Sequence, residues 1–307
     1  MPENLLPAGI ALLERGWLSS NNVVCTGRHG SAVIDTGYAV HADQTVGLVR
    51  HALADRPLDV IVNTHLHSDH CGGNAALQAA FPGSRTLIPP GEADAARAWR
   101  EGLLSHSGTG QLLPRFRVDG VLPVGESIAL GEHEWQVYPA AGHDPHSVIL
   151  FAPRHRVLVS ADALWENGFG LVFPELVGHA AFDAVQATLS LIESLQPSVV
   201  IPGHGPAFAD AASALARARS RLAAYRKDPK RHARHAARVM IRFKLLELGR
   251  WGRAEFEQWF DAARLLQHLH AEHFASEPWP GWRDALLEDL QGAGAIALSG
   301  DLIINRP

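Results

Sequence analysis

The first 210 residues alternate short apolar runs with stretches in which apolar residues recur at helical spacing. Residues 22–26 and 31–35 flank a glycine-bounded turn and predict a hairpin, while residues 43–54 and 182–195 predict helices. Further strands are predicted at residues 58–62, 85–88, 135–138, 148–151, 156–160 and 198–201. This alternation indicates a fold that mixes sheets with helices.

After residue 210 the pattern becomes helical and the charge changes. Helices are predicted at residues 211–226, 232–248, 254–260 and 282–290, followed by a hairpin at 295–305 that turns at Gly300 and Asp301. Residues 211–253 hold thirteen Lys and Arg but two acids, whereas the rest of the chain holds 14 basic and 30 acidic residues. We therefore expect two domains, residues 1–210 and a mostly helical domain at 211–307.

The composition excludes disorder and a disulfide scaffold. The chain has 307 residues, of which 47% are hydrophobic and 19% charged, with a formal net charge of −5. Cys25 and Cys71 are too few for a disulfide framework, the first residues lack a signal-peptide pattern, and no apolar run reaches the length of a membrane span. We therefore expect a cytoplasmic protein that is not held in a membrane.

Histidine is the unusual component, with eighteen copies, and four metal-ligand side chains lie within six positions. His65 and His67 follow the strand predicted at 58–62, and their spacing in extended backbone places both rings on one side. Asp69 and His70 come next, at the turn into a helix, where they can face a second ion. Imidazole and carboxylate are ligands of Zn²⁺ and similar ions. The alternative is a solvated His-rich loop, which the density of ligands disfavours.

This segment, HLHSDH at residues 65–70, resembles the HxHxDH motif of the metallo-β-lactamase superfamily. The remaining pattern follows in order, as Gly-His at 142–143, Ser-Ala-Asp at 160–162 and Pro-Gly-His-Gly at 202–205. The resemblance implies two divalent ions, with zinc favoured and iron or manganese as alternatives. One ion would be held by His65, His67 and His143. The other would be held by Asp69, His70 and His204, with Asp162 bridging the two.

The resemblance also implies the fold and the chemistry. The fold would be an α+β, four-layer αβ/βα sandwich with the metals at one edge between the sheets. A metal-bound hydroxide would attack the substrate, and Asp69 would orient that nucleophile or move its proton. An acidic residue at the second histidine of the motif is typical of diiron redox relatives, so His67 argues against that branch. The Asp35-Thr-Gly37 segment resembles an early strand of the superfamily and is interpreted as structural.

Two features bear on the branch of the superfamily, the segment at residues 203–206 and the helical tail. Glyoxalase II enzymes carry a GHEY-type segment where this chain has Gly203-His204-Gly205-Pro206, so glutathione is not predicted as the specific substrate. The helical tail resembles the winged-helix-like module of a thioesterase-like branch, whose members range from hydrolases to a ribonuclease. Candidate substrate contacts are His146, Trp165, Phe169 and Phe173. The alternatives are a solvent-facing histidine and ordinary loop packing, and Cys71 is either a ligand or a small buried side chain.

Two functions remain after these considerations. The first is hydrolysis of a small thioester, ester or lactone. The second is a metal-dependent nuclease in which the basic tail binds RNA or DNA. Few aromatic residues accompany the basic run, which disfavours base stacking and therefore the second function. The basic helices could instead pack against the acidic domain or steer a substrate towards it.

Overall fold

The computed structural model describes residues 5–54, 56–104 and 109–306. Two sheets and the helices that cover them form the first part of the chain. The first sheet contains, in spatial order, β1 (Ile10–Leu13), β2 (Asn22–Gly27), β3 (Gly30–Ile34), β4 (Val60–Val62), β5 (Arg85–Ile88) and β6 (Gly120–Val121). The second contains β7 (Ser127–Leu130), β8 (His133–Pro139), β9 (Val148–Ala152), β10 (Val157–Ala161) and β11 (Val199–Pro202) in order β11-β10-β9-β8-β7.

Both sheets are mixed. The strands from β3 to β6 run parallel, β1 and β2 pair antiparallel, and β10 pairs in parallel with β11, with Val157 opposite Val199. The helices of this part are α1 (Ala42–Leu53), α2 (Ser68–Cys71), α3 (Asn74–Ala80), α4 (Ala93–Ala98), α5 (Phe173–Leu176), α6 (Phe182–Leu195) and α7 (Ala211–Lys227). The hairpin β2–β3 and the helix α6 agree closely with the sequence prediction.

Alternating side chains place the two sheets face to face. Ala32 and Ile34 of β3 point into the core between the sheets, whereas Val33 points outwards to helices α1 and α3. In β9, Leu150 faces the same inner core and Ile149 faces outwards, where α6 and α7 cover the second sheet. Each sheet therefore has one face on its partner and the other under helices, and the predicted four-layer αβ/βα sandwich is confirmed.

The last third of the chain has its own buried cluster. This region consists of four helices, α8 (Pro229–Leu248), α9 (Arg253–Ala262), α10 (Arg264–His273) and α11 (Trp279–Gly292). It also contains a three-stranded sheet in the order β12 (Arg250–Gly252), β14 (Leu302–Asn305) and β13 (Ile296–Ser299). Phe256, Phe260 and Trp282 are buried at its centre. Helix α7 packs on the sandwich, so this second core begins with α8. A mostly helical C-terminal region is confirmed, while its winged-helix-like character and the division at residue 210 stay predictions.

Several elements of this region differ from the prediction. Helix α11 begins at Trp279, three residues before its predicted start, and the short strand β12 was not predicted. Helix α8 begins at Pro229, three residues before its predicted start. Proline suits the first turn of a helix, because the N–H groups there have no partner within the helix. Helix α10 was not predicted, since its polar sequence buries little besides Leu266 and Leu269. Among the described residues, no helix is long and apolar enough to cross a membrane.

Buried His232 attaches α8 to the sandwich. Its Nε2 atom accepts a hydrogen bond from the backbone N–H of Val172 at 3.2 Å, and its ring packs on Tyr225 and Phe182. Burial, assisted by the neighbouring His235 and His273, lowers the pKa of His232 to about 3. The ring is therefore neutral in the folded protein, which suits its role as a hydrogen-bond acceptor.

This depressed pKa predicts a loss of stability in acid. Between pH 6.5 and 3 the unfolded chain binds a proton at His232 that the folded chain does not, so the unfolding free energy falls as the pH is lowered. At pH 5 the loss from this residue is about 2 kcal/mol. In a His232→Gln variant the amide oxygen can accept the same bond without titrating, and the loss between pH 7 and 5 should shrink by about that amount.

Urea unfolding of wild type and His232→Gln at pH 7 and pH 5, with a metal chelator present, measures this difference in unfolding free energy. Every other titrating group is common to the two proteins. His232→Ala serves as the comparison: it leaves the Val172 N–H unsatisfied and should cost about 1–3 kcal/mol at every pH. Parallel pH curves for wild type and His232→Gln would contradict the prediction.

Candidate metal centre

The seven predicted ligand side chains lie together at one edge of the sandwich, where several strands end. Strand β4 leads to His65 and His67, α2 carries Asp69 and His70, and the loop after β8 carries His143. Asp162 follows β10 directly and His204 follows β11. Because β10 and β11 are parallel, their carboxyl ends meet at the same edge.

Three imidazoles converge in the first group. The Nδ1 atom of His67 lies 3.1 Å from Nε2 of His65 and 2.8 Å from Nε2 of His143. All three side chains are buried. Nitrogen ligands bound at 2.0–2.1 Å to one tetrahedral ion are about 3.3 Å apart. The cluster is therefore close to the size that a single ion requires.

The second group combines carboxylate and imidazole. The Oδ2 atom of Asp69 lies 3.1 Å from Nε2 of His204 and 3.9 Å from Nε2 of His70. This Nε2 atom of His70 is buried and has no hydrogen-bond partner among the residues that the structure describes. A buried nitrogen that faces carboxylate oxygens at 3.4 and 3.9 Å without a hydrogen bond costs free energy unless something binds between them, and a metal ion fits that need.

Asp162 spans the two groups. Its Oδ1 atom lies 3.4 Å from Nε2 of His70, and its Oδ2 atom lies 3.4 Å from Nε2 of His143. The backbone must come close to hold it there, since a Cβ at Gly203 would collide with the Asp162 carboxylate. The glycine of the Pro-Gly-His segment is thus a requirement of the space around Asp162.

Oxygen atoms hold the outward-facing ring nitrogens. The Nδ1 atom of His70 lies 2.7 Å from Oδ2 of Asp35, and Nδ1 of His143 lies 2.5 Å from the carbonyl oxygen of Leu171. Asp35 is fixed in turn by the backbone N–H and the hydroxyl of Thr64, at 2.9 and 2.8 Å. Such partners orient metal-binding histidines. Asp35, interpreted from sequence as structural, therefore also orients a site residue.

The electrostatics of His65, His67 and Asp162 suit ligands for a cation. Burial and the surrounding histidines lower the pKa of His65 well below its usual value and that of His67 to about 4, so both rings are neutral. Burial opposes the charge of Asp162, but His70, His204 and His143 outweigh it and lower the carboxyl pKa well below its usual range. Neutral imidazoles and ionised carboxylates are the forms that bind metal ions. His70 differs: burial opposes its charge, but Asp162, Asp35 and Asp69 outweigh it and raise its pKa well above the usual value, so this ring carries a proton where no cation replaces it.

A cavity of about 670 Å³ opens beside this centre. Trp17, Trp165, Phe173 and Phe243 supply its aromatic lining. The ring of Trp17 stacks on His204 with centroids 5.4 Å apart, and Trp165 donates from Nε1 to Oδ1 of Asp162 at 3.2 Å. The cavity therefore joins the ligand cluster to a large apolar surface.

The four candidate substrate contacts divide into two pairs. Trp165 and Phe173 line the cavity. Phe169 is buried in the core against Tyr225, and His146 is exposed with its ring against Gly91; neither lines the cavity.

Cys71, which the sequence left open as a ligand or a small buried side chain, faces the backbone. The Cys71 thiol donates to the carbonyl oxygen of His67 at 3.2 Å, as a small buried side chain would. Sequence reasoning missed Trp17 and the cavity-lining face of α8, which includes Arg238 and Phe243. The helical pattern of α8 was visible, but nothing in it indicated which face meets a cavity.

Replacing Asp35 by Asn should weaken metal binding at the Asp69, His70 and His204 group about 10- to 100-fold, because the carboxylate that orients His70 loses its charge. Competition with a chromogenic chelator measures the zinc affinities of the two ligand groups. Asp59→Asn, an exposed carboxylate that bonds to Ser31 on the same sheet, should leave both unchanged. Equal zinc affinities in Asp35→Asn and wild type would contradict the role assigned to Asp35.

Sequence comparisons identify two kinds of relative. A hydroxyacylglutathione hydrolase of Xanthomonas axonopodis pv. citri is 30% identical over 217 residues, covering 69% of this chain and 71% of that protein. A type A flavoprotein of Rhodobacter capsulatus is 27% identical over 202 residues, covering 61% of this chain and 44% of the flavoprotein. The chain thus spans less than half the length of that second relative.

Solved structures share the fold at low sequence identity. A metallo-β-lactamase family protein from Thermus thermophilus has a TM-score of 0.54 and 22% identity, with 99% of this chain and 100% of that chain covered. A metallo-β-lactamase from Cronobacter sakazakii has a TM-score of 0.57 and 18% identity, covering 75% and 98%. The family model described as the metallo-beta-lactamase superfamily matches residues 15–204, which include all seven clustered side chains. The chain belongs to the metallo-β-lactamase superfamily.

Proposed function

We propose that this protein is a hydrolase that holds two divalent ions and cleaves a thioester, ester or lactone of a small molecule. The observation that carries the proposal is that two groups of ligand side chains, with Asp162 within 3.4 Å of a histidine in each, lie at the wall of an aromatic cavity. One ion would bind His65, His67 and His143, and the other Asp69, His70 and His204, with Asp162 between them. When bound, the two ions supply Lewis-acid activation of water and of the substrate carbonyl.

In this proposal Asp69 would orient the attacking water and accept its proton. It lines the cavity, and its Oδ2 atom is held by Nε2 of His204. Burial opposes its charge, but His70 and His204 lower its pKa, so the carboxylate is ionised and can accept a hydrogen bond. A carboxylate at this position orients the water and receives its proton.

The aromatic side chains favour an acyl substrate of moderate size. Trp165 and Phe173 lie directly against site residues, with the Phe173 ring 4.8 Å from that of His67. Their apolar surfaces exclude water and contact the part of the substrate that does not react. The hydroxyacylglutathione hydrolases among the relatives act, by their name, on an acylated glutathione, which supports the thioester class.

The basic residues of the C-terminal half support a small-molecule substrate over a nucleic acid. Many of them are engaged within the chain: Arg219 binds Glu193 at 2.7 Å, and Arg234 binds Asp289 at 2.7 Å. Arg226 and Asp183 pair in the same way and join α7 to α6. Much of the positive charge therefore holds helices in place, which weakens the case for a surface that binds phosphates.

Zinc is the metal that we propose for both sites. Imidazole and carboxylate ligands in clusters of this size are typical of zinc, although iron and manganese accept the same donors.

Purified protein should contain close to two zinc ions per chain by elemental analysis. Asp162→Asn should lose at least one of them and lower kcat/KM by about two orders of magnitude or more, because the carboxylate faces both groups. His146→Gln, outside the cavity, is the control and should match wild type. A folded, active protein without metal would overturn the scheme.

A substrate screen separates the two candidate functions. Thioesters, lactones, β-lactams, phosphodiesters and RNA should be tested on the zinc-loaded protein, and we expect thioesters or lactones to give the highest kcat/KM. A nuclease would instead cleave RNA with a steep salt dependence that disappears when Arg231, Arg234 and Arg238 are neutralised. That result would replace the proposed function.

A further inference from the structure

The cavity has a second polar region, formed by the C-terminal helices. Arg221 of α7 and Arg238 and Arg242 of α8 line it together with His235. The same cavity is lined by the ligand cluster and the aromatic side chains, so a molecule held at the centre can reach these arginines. The inference below rests on the proposed function, since it concerns the substrate of that site.

Two of the three guanidinium groups have donors left for a ligand. Arg221 donates from Nη1 to the carbonyl oxygen of Phe169 at 3.3 Å, and among the described residues no carboxylate forms an ion pair with it. Arg238 has one acidic partner within the described residues, Asp289 at 3.6 Å. That carboxylate is already bound more closely by Arg234, at 2.7 Å.

Arg242 has a different role. Its Nη1 and Nη2 atoms donate to the carbonyl oxygens of Ala295 and Arg306, and so hold the C-terminal hairpin against α8. Burial lowers the pKa of its guanidinium. Because those donors are engaged in packing, the ligand-binding donors of this region come from Arg221 and Arg238.

Arg221 and Arg238 place their positive charges in the same part of the cavity. Both stand near His235, whose pKa falls to about 4 through burial and then through the charges of Arg221 and Arg238. The acids that line the cavity away from the ligand cluster are Glu166 and Asp289, and Asp289 is shared between two arginines. Like charges brought together in a partly buried space favour the binding of an anion.

We infer that the substrate carries an anionic group, a carboxylate or a phosphate, which Arg221 and Arg238 bind while the scissile bond lies at the metal centre. A guanidinium matches both anions through paired hydrogen bonds. Trp165, Phe173 and Phe243 contact the apolar part of the molecule between the two ends. The substrate class is therefore an acyl compound with an anionic group on its acyl half or on its leaving half, rather than a neutral ester.

Three thioesters test the inference. Butyryl-N-acetylcysteamine is neutral, succinyl-N-acetylcysteamine carries a carboxylate on the acyl side, and butyryl-phosphopantetheine carries a phosphate on the thiol side. We expect kcat/KM to be about tenfold or more higher for at least one charged thioester than for the neutral one. The arm that gains identifies both the anion and the half of the substrate that carries it.

Variants connect the preference to the two arginines. Arg221→Gln and Arg238→Gln should each lower the ratio of kcat/KM for the charged thioester to kcat/KM for the neutral thioester in the same protein, and the double variant should bring that ratio to about one. Arg238→Lys should retain part of the preference, because it keeps the charge and loses the planar fork. Arg231→Gln is the matched control, since Arg231 is exposed on α8 and does not line the cavity. Equal rates for all three thioesters, or a preference that survives in the double variant, would overturn the inference.

Calorimetry separates this inference from the proposed hydrolysis. Glutarate and glycerol phosphate, titrated into the zinc-loaded protein, test anion binding without a reaction. Binding to wild type and Arg231→Gln that is lost in the double variant supports the arginine site even when no thioester is cleaved, and only the proposed hydrolysis then fails. Absence of binding by either anion, or equal binding by wild type and the double variant, overturns the arginine site.

Discussion

The structure depends on holding buried imidazoles and carboxylates close together at one edge of a sandwich. His67 lies within 3.1 Å of two other ring nitrogens, and Asp162 faces histidines of both groups. Burying such a cluster costs free energy, because the carboxylates and imidazoles lose their contact with water. A rigid scaffold is therefore required, and the packed core between two sheets supplies it.

The C-terminal helices complete the site as well as covering it. Residues Gly170 to Phe173 connect the two parts: Leu171 accepts from the His143 ring, and the next N–H in the chain donates to His232 of α8. Phe173 starts helix α5 and lies in the cavity. The position of α8 is thus coupled to His143 of the ligand cluster, and the same helix presents Arg238 and Phe243 to the cavity.

The sequence predicted which side chains come together at the edge of the sandwich better than it predicted the cavity beside them. His65 and His67 could be placed because side chains in extended backbone alternate, and the order of the remaining ligands matched a known family. Phe169 and Phe173 could not be told apart, because Gly168 has a φ of 121° and breaks the regular alternation of side chains in that loop. His146 turns away because Asp144 accepts a bond from its backbone N–H at 2.7 Å, a local turn that the letters alone do not reveal. Which face of α8 points into the cavity depends on its packing against residues that are distant in the sequence.

Diffraction data collected at the zinc absorption edge from crystals grown with zinc would test the central claim most directly. We expect two anomalous peaks about 3.5–4 Å apart, one beside His65, His67 and His143 and the other beside Asp69, His70 and His204, with the Asp162 carboxylate between them. A single peak, or peaks that avoid Asp162, would contradict that claim.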